Sequence, residues 1–325
     1  SNRRRLDEAA ALEPMATAAV ARAGNPPVLR NRLQVAIGTR LLMADEFDAA
    51  LGALREALAS AAATATRGIV QLQLAQAYDG RADPDQARPF AEQALASNQD
   101  AYGPDHPQTA NALYVLGSVH VSLGHRDERV DRAELARAEA YLTRALAIRE
   151  IAFAPGHREI ANTVDLLATT ALNLGDIPRA RALYERAIAI YEAGGADADA
   201  GLSQTMLARL VADQDGVTAA RPLFDAGLAR LAAAGRADSI TYIEMEANYV
   251  EALVAGERFA EAAPHVEHVV EIARRRQPDS LASYLELAAA CARGLGRTDQ
   301  AIAQLEQAVS ACAASSCASP EDATF

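Results

Sequence analysis

Chemistry in this chain would have to come from few places. Six histidines, His106, His120, His125, His157, His265 and His268, are the side chains best suited to proton transfer or metal binding near neutral pH. In the stretch HVEH, His265 and His268 stand three apart beside Glu267, which puts both imidazoles on one helix face at a spacing that could hold a metal ion. A third ligand is not evident nearby, and the HExxH pattern and paired metal-binding cysteines are missing, so no metal is expected. His106 and His157 occur in similar turns, GPDHP and APGH, and His120 falls where a bulky packing residue belongs and reads as core. Cys291, Cys312 and Cys317 are too few for a disulfide scaffold and fit a reducing compartment, hence a cytoplasmic protein; the last two, five apart in a small-residue tail, could form a disulfide or half of a metal site but read as incidental. Neither GxGxxG nor GxxxxGK occurs, and no Ser/His/Asp or Cys/His arrangement can be read from residue order. The expectation is a protein that is not an enzyme and carries no cofactor.

Composition says what kind of scaffold positions the remaining polar residues. Of the 325 residues, alanine makes up about a quarter, aromatics are 5% and tryptophan is absent, which suits close helix packing better than a sheet core. All 31 basic residues are arginine, a bias that points to a GC-rich, bacterial genome. The formal charge of -12, with basic runs no longer than Arg3–Arg5 and Arg274–Arg276, argues against a nucleic-acid partner. No apolar stretch is long enough for a membrane helix. The chain starts without methionine. Ser1-Asn2 reads as an appended pair, and Arg3 as the start of a piece excised from something longer.

Repetition organises the sequence. Seven stretches share a frame of alanine, a second residue four later and a small or branched residue three after that: Ala50-Leu54-Ala57, Ala87-Ala91-Ala94, Ala138-Leu142-Ala145, Ala180-Tyr184-Ala187, Ala220-Phe224-Gly227, Ala262-Val266-Val269 and Ala301-Leu305-Ala308. The first alanines are separated by 37, 51, 42, 40, 42 and 39 residues. Before six of the frames lies a second stripe, Ile37-Gly38-Leu41, Leu74-Ala75-Tyr78, Leu116-Gly117-His120, Leu167-Ala168-Ala171, Leu207-Ala208-Val211 and Leu287-Ala288-Ala292. The sixth unit, around Met245 to Leu253, is less regular. Steps of three and four make each stripe one helix face. Each unit is therefore two antiparallel helices, and one pair cannot cover both faces, so pairs must stack.

Local signals set the boundaries. Pro107 and Pro155 mark turns, Asp105 is placed to cap the helix after it, and Gly124, Gly175, Gly256 and Gly296 end first helices, where a left-handed residue is often wanted. The third unit carries nine extra residues between Gly124 and Ala138; this mostly charged insertion, near residues 125–135, would lengthen its helices or project as a lip. Residues 1–25 read as an N-terminal capping helix, 26–311 as the array, and 312–325 as a flexible tail.

The stretches LGSVHVSLG, GDIPRARALYERAIAIYE and RAEAYLTRALAIREIAFAPGHREIA resemble tetratricopeptide repeats of the long variety, about 42 residues, found in kinesin light chains. The resemblance is strong from about Gly103 to Glu192 and continuous from Arg30 to Ala311. It implies an all-α, right-handed superhelical solenoid of about seven helix pairs, with a concave groove lined by the first helix of every pair. Positions off the packing stripes would face that groove: Asn111, Tyr114, Ser118 and Ser122; Asn162, Asp165, Thr169 and Asn173; Thr205, Arg209 and Asp213. Asparagine can both donate to and accept from an extended peptide backbone. Carried over from kinesin light chains, whose first-helix asparagines touch cargo peptide, the resemblance implicates Asn111 and Asn162. The resulting expectation is a scaffold that binds a peptide or partner protein. The alternative is a regulatory or sensor module from a larger bacterial signalling protein, such as a Ser/Thr kinase or a transcriptional regulator. Sequence alone leaves the partner and the oligomeric state open.

Overall fold

The rhythm of small and bulky residues folds as helix pairs. The computed structural model describes residues 2–61, 63–125 and 130–314, and among these there are fifteen α-helices and no strand. In chain order they are α1 (Asn2–Arg22), α2 (Pro27–Met43), α3 (Phe47–Ser60), α4 (Thr64–Gly80), α5 (Pro84–Tyr102), α6 (Pro107–Leu123), α7 (Arg132–Ala152), α8 (Arg158–Leu174), α9 (Ile177–Ala193), α10 (Asp197–Asp215), α11 (Val217–Ala233), α12 (Ile240–Ala255), α13 (Phe259–Arg276), α14 (Leu281–Gly294) and α15 (Thr298–Ala314). A one-turn 3₁₀ helix, Pro278–Ser280, leads into α14. Two compact units, residues 1–183 and 184–325, divide the chain inside α9. In the first, α2 packs on α3, α4 on α5 and α6 on α7; in the second, α10 packs on α11, α12 on α13 and α14 on α15. The short connections make the partners antiparallel. No described helix is long and apolar enough to cross a membrane.

Two pairs, α2–α3 and α6–α7, close by fitting a bulky side chain of the second helix over a glycine of the first. A Cβ added to Gly38 would lie 2.5 Å from Leu54, and one added to Gly117 would lie 2.5 Å from Leu142. The alanines that open the frames, Ala50, Ala87, Ala138, Ala180, Ala220 and Ala262, are completely buried. Burial of these faces, at about 25 cal/mol per Å² of apolar surface, is what holds helices of this length together.

One turn recurs inside the pairs. After α2, α4, α8, α12 and α14 the chain takes a left-handed residue, Asp45, Ala82, Gly175, Glu257 and Gly296 respectively. The next amide then bonds back to a carbonyl of the stripe: Glu46 to Leu41, Asp83 to Tyr78, Asp176 to Ala171, Arg258 to Leu253 and Arg297 to Ala292, at 2.8–2.9 Å. Gly175 and Gly296 have the left-handed role expected of them, but Gly124 and Gly256 do not. Gly124 is right-handed (φ -68°) and Gly256 has φ -85°, the left-handed residue being Glu257. Both are needed for room instead, since a Cβ would meet Leu135 or Val217 at 2.7 Å.

The cap of α6 also differs from expectation. It is His106, not Asp105, whose Nδ1 accepts from the amide of Gln108 at 3.1 Å, and His157 caps α8 through the amide of Glu159 in the same way. Each imidazole stacks on the aromatic ring four residues earlier, Tyr102 or Phe153. An imidazole nitrogen does here what an Asp or Ser oxygen usually does.

The insertion lengthens only the second helix of its pair. α6 has 17 residues, as α4 and α8 do, whereas α7 has 21 and starts six positions before Ala138. Asp131 caps it, accepting from the amides of Ala133 and Glu134. The added turn supplies Glu134, which meets the buried Nδ1 of His120 at 2.5 Å, so His120 is a core residue with a carboxylate partner. The remainder of the insertion, 126–129, lies outside the described residues, as do 315–325 with Cys317; α15 itself continues through Ala314. The expected N-terminal helix forms as α1 and pairs Glu13 with Arg40 of α2.

Candidate functional site

First helices carry polar side chains on the side away from their packing stripes, and in the first unit these side chains tie neighbouring first helices together. Gln73 of α4 donates to Thr39 Oγ1 of α2 at 2.6 Å, and Ser118 of α6 donates to Asp79 Oδ2 of α4 at 2.9 Å. Asn111, Tyr114, Ser118 and Ser122 of α6 are all half-buried, and so are Asn162, Asp165, Thr169 and Asn173 of α8. Each set of four follows one helical stripe, and α8 lies next to α6. The arrangement is a row of hydroxyl, amide and carboxylate groups open on one side to solvent.

Asn111 and Tyr114 are held from beneath by a residue that sequence reasoning passed over. Arg149 of α7 is 1% exposed. Its guanidinium donates to Asn111 Oδ1 (2.9 Å), to Thr163 Oγ1 (2.6 Å) and to the carbonyl of Glu159 (3.0 Å), pairs with Glu159 Oε2 (2.6 Å), and lies 4.8 Å from the centre of the Tyr114 ring. Burial draws its pKa below the ordinary arginine value, and Glu159 opposes that. One side chain thus joins α6, α7 and α8. A signal for it existed: one step of four beyond Ala138-Leu142-Ala145 is Arg149, on the apolar stripe. The same step beyond Ala94 is Asn98, which is also buried and donates to the carbonyl of Gln108 at 2.9 Å. Polar residues on that rung reach the first turn of the next pair, where helical carbonyls can accept a further bond. Asn111 thus accepts from Arg149 through its oxygen and donates through its amide nitrogen to Gln108 Oε1 at 3.4 Å, which fixes its side chain from both ends.

Burial raises the Tyr114 hydroxyl to about 12, Arg149 opposing and Asp165 adding to the rise. A folded-state pKa above the unfolded value of about 10 means that stability is present in full below about pH 10 and is lost as pH climbs toward about 12. Tyr114→Phe removes this component. Urea midpoints of the two proteins should therefore shift in favour of the variant between about pH 9 and about pH 11.5; a gap that stays constant would show that Tyr114 does not titrate in this window.

In the second unit the expected set divides. Arg209 and Asp213 of α10 are exposed, but Thr205 is wholly buried, its hydroxyl bonded to the carbonyl of Leu202 and its methyl against Gly227. Gly201 and Gly227 let α10 and α11 approach until a Cβ on either would sit 2.9 Å from the carbonyl oxygen of the other. That approach covers Thr205, which belongs to the packing of the pair and not to an open face. Among the described residues no three or more His, Cys, Asp or Glu side chains gather to hold a metal ion.

The tetratricopeptide-repeat family model matches residues 65–128 and 130–193. No curated protein sequence matches the chain. Three similar solved structures are the aspartyl phosphate phosphatase F of Bacillus subtilis (13% identity, 88% of this chain and 70% of that one, TM-score 0.64), the Rap conjugation gene regulator of plasmid pLS20 in complex with the Phr* peptide (12% identity, 94% and 79%, TM-score 0.63), and TPR-like repeats assigned to a Podosopora anserina kinesin light chain (21% identity, 67% and 100%, TM-score 0.51). At such identities the likeness is one of fold. Helix pairs, repeat spacing and family match agree over this part of the chain: residues 65–193 are built of tetratricopeptide repeats, and the helix pairs on either side continue the same fold.

Proposed function

We propose that the chain is a non-enzymatic interaction scaffold that holds an extended peptide or partner segment against the row formed by Asn111, Tyr114, Ser118, Ser122, Asn162, Asp165, Thr169 and Asn173. The observation that carries this reading is that the row is half-exposed and yet fixed, with Asn111 and Tyr114 seated on Arg149 and Ser118 bonded to Asp79. Polar groups already ordered lose little further entropy when a ligand arrives. Amides and hydroxyls address the backbone of an extended chain more than its side chains, so selectivity would come from Tyr114 and Asp165. Arg209 and Asp213 are the exposed counterparts in the second unit. A regulatory module is the second reading, favoured by the similar fold of a gene regulator whose structure is in complex with a peptide.

Peptides selected from a random display library against the full chain provide the test. Replacing Asn111 and Asn162 together by Ala should weaken the selected peptides at least about tenfold, or about 1.4 kcal/mol, with an unchanged circular dichroism spectrum. Selected peptides that bind the double variant as well as the parent would refute the assignment of this surface.

A further inference from the structure

A second polar constellation lies between α12 and α13, in the second unit, and belongs neither to the repeat frame nor to the row on α6 and α8. Glu246 is 4% exposed, and a buried carboxylate at such a place must be compensated. His265 Nδ1 stands 2.7 Å from Glu246 Oε1, and His268 Nδ1 stands 2.5 Å from Glu246 Oε2. An ionised carboxylate only accepts, so each Nδ1 must carry the hydrogen that it donates. This fixes the tautomer: in the neutral ring the lone pair resides on Nε2. Neither Nε2 has a hydrogen-bond partner among the described residues, and neither is a buried unpartnered atom, while the two side chains are 33% and 35% exposed. Tyr249 and Tyr242 set the ring orientations, with ring centres 5.1 Å from His265 and 5.9 Å from His268.

We propose that the Nε2 atoms of His265 and His268 form a binding site for a borderline divalent metal ion of the zinc, nickel or copper class. Three features point to it. Two imidazoles three residues apart share one helix face. Both present their lone pairs to solvent in the tautomer that ligation requires. Behind them, one carboxylate orients both rings, as the outer-shell partner of a metal-bound histidine does. Glu246 is that partner and not a ligand, since its oxygens are taken up by the Nδ1 hydrogens. The protein therefore supplies two ligands, and water or a group on a bound molecule completes the coordination. Imidazole nitrogen selects this class over magnesium and calcium, which take oxygen ligands.

Titration of the full chain with Zn²⁺ alone, by calorimetry in metal-free buffer, tests the proposal. The expected result is one zinc ion per chain that His265→Gln or His268→Gln each weakens at least about tenfold, with helix content unchanged, and no binding of Mg²⁺. Glu246→Gln should weaken zinc by about 10- to 100-fold while both imidazoles remain. Because that variant replaces a buried group, long-range ¹⁵N spectra of the unaltered protein give an independent reading: zinc should move the Nε2 resonances of His265 and His268 and leave their Nδ1 nitrogens protonated. Absence of any zinc binding, zinc bound equally by the His265→Gln/His268→Gln double variant, or Nε2 resonances that do not respond would each overturn it. Nothing in this test depends on the peptide-binding surface.

Discussion

Gly227→Ala should destabilise α10 and α11 by about 2 kcal/mol even though alanine is the better helix former. The propensity gain on replacing a helical glycine by alanine is about 1 kcal/mol. Against it stands a Cβ that would lie 2.6 Å from the Thr205 methyl, 2.9 Å from the carbonyl oxygen of Gly201 and 3.2 Å from the Thr205 amide nitrogen. Two of those three atoms are backbone, so no rotamer change relieves the contact and the helices must part. Overpacking of this kind typically costs 1–3 kcal/mol, occasionally more, and separation also exposes Thr205 and loosens Phe224 and Leu228. Gly227→Val, which adds bulk and loses the propensity gain, should cost about 4 kcal/mol. Gly52→Ala is the control: nothing lies within 4 Å of a Cβ there, so the same substitution in α3 should stabilise by up to about 1 kcal/mol. Hydrogen exchange of the amides of α10 and α11 reads the effect locally, which matters because repeat arrays need not unfold in one step. Equal protection in Gly227→Ala and the parent protein would mean that the close approach of these helices carries no stability.

The second large effect belongs to Arg149. Arg149→Ala should cost about 4 kcal/mol and Arg149→Met about half of that. When the guanidinium is removed, Glu159 and Asn111, both partly open to solvent, recover water, but the buried hydroxyl of Thr163 keeps only its own bond to the Glu159 carbonyl and loses the charged donor. A hydrogen bond to a charged group is worth about 1.5–3 kcal/mol. Truncation to alanine adds a cavity among α6, α7 and α8, with about 2–3 kcal/mol lost for the missing stem; methionine fills most of it. Urea denaturation with hydrogen exchange on α6 to α8 checks the order Ala, then Met, then parent. A value for Arg149→Ala within about 1 kcal/mol of the parent would show that the guanidinium is dispensable and that Asn111 and Tyr114 are not held through it.

How far each of these results was legible beforehand follows from where the interacting partners lie in the chain. Helices, their pairing and the buried alanines could be read from the sequence, because periodicity of three and four is a local property and a small residue facing a bulky one leaves its mark within a single unit. Ala138, Leu142 and Ala145 are visible that way, and so is the place of Gly117 beneath Leu142. The turn glycines were only half legible: the need for a left-handed residue appears as Gly175 and Gly296, but Asp45, Ala82 and Glu257 take the same conformation without glycine. His106 in place of Asp105 as a cap is a choice between adjacent acceptors, made by the path of the chain and the stacking on Tyr102. Thr205 occupies the same register as Tyr114 and Asp165, yet it is buried. What decides this is the distance between two helix axes, set by Gly201 and Gly227 together.

Sequence by itself determined that this chain folds as consecutive helix pairs, because that outcome depends on interactions between residues a few positions apart. Tertiary structure alone decided which polar side chains are buried, and with whom. Arg149 meets Asn111 across 38 residues, Ser118 meets Asp79 across 39, and Glu246 meets His265 and His268 across 19 and 22. A buried charge or amide is tolerable only when a partner arrives from another helix to replace the water it has lost, and that partner's identity is written in the packing of the helices, not in the repeat.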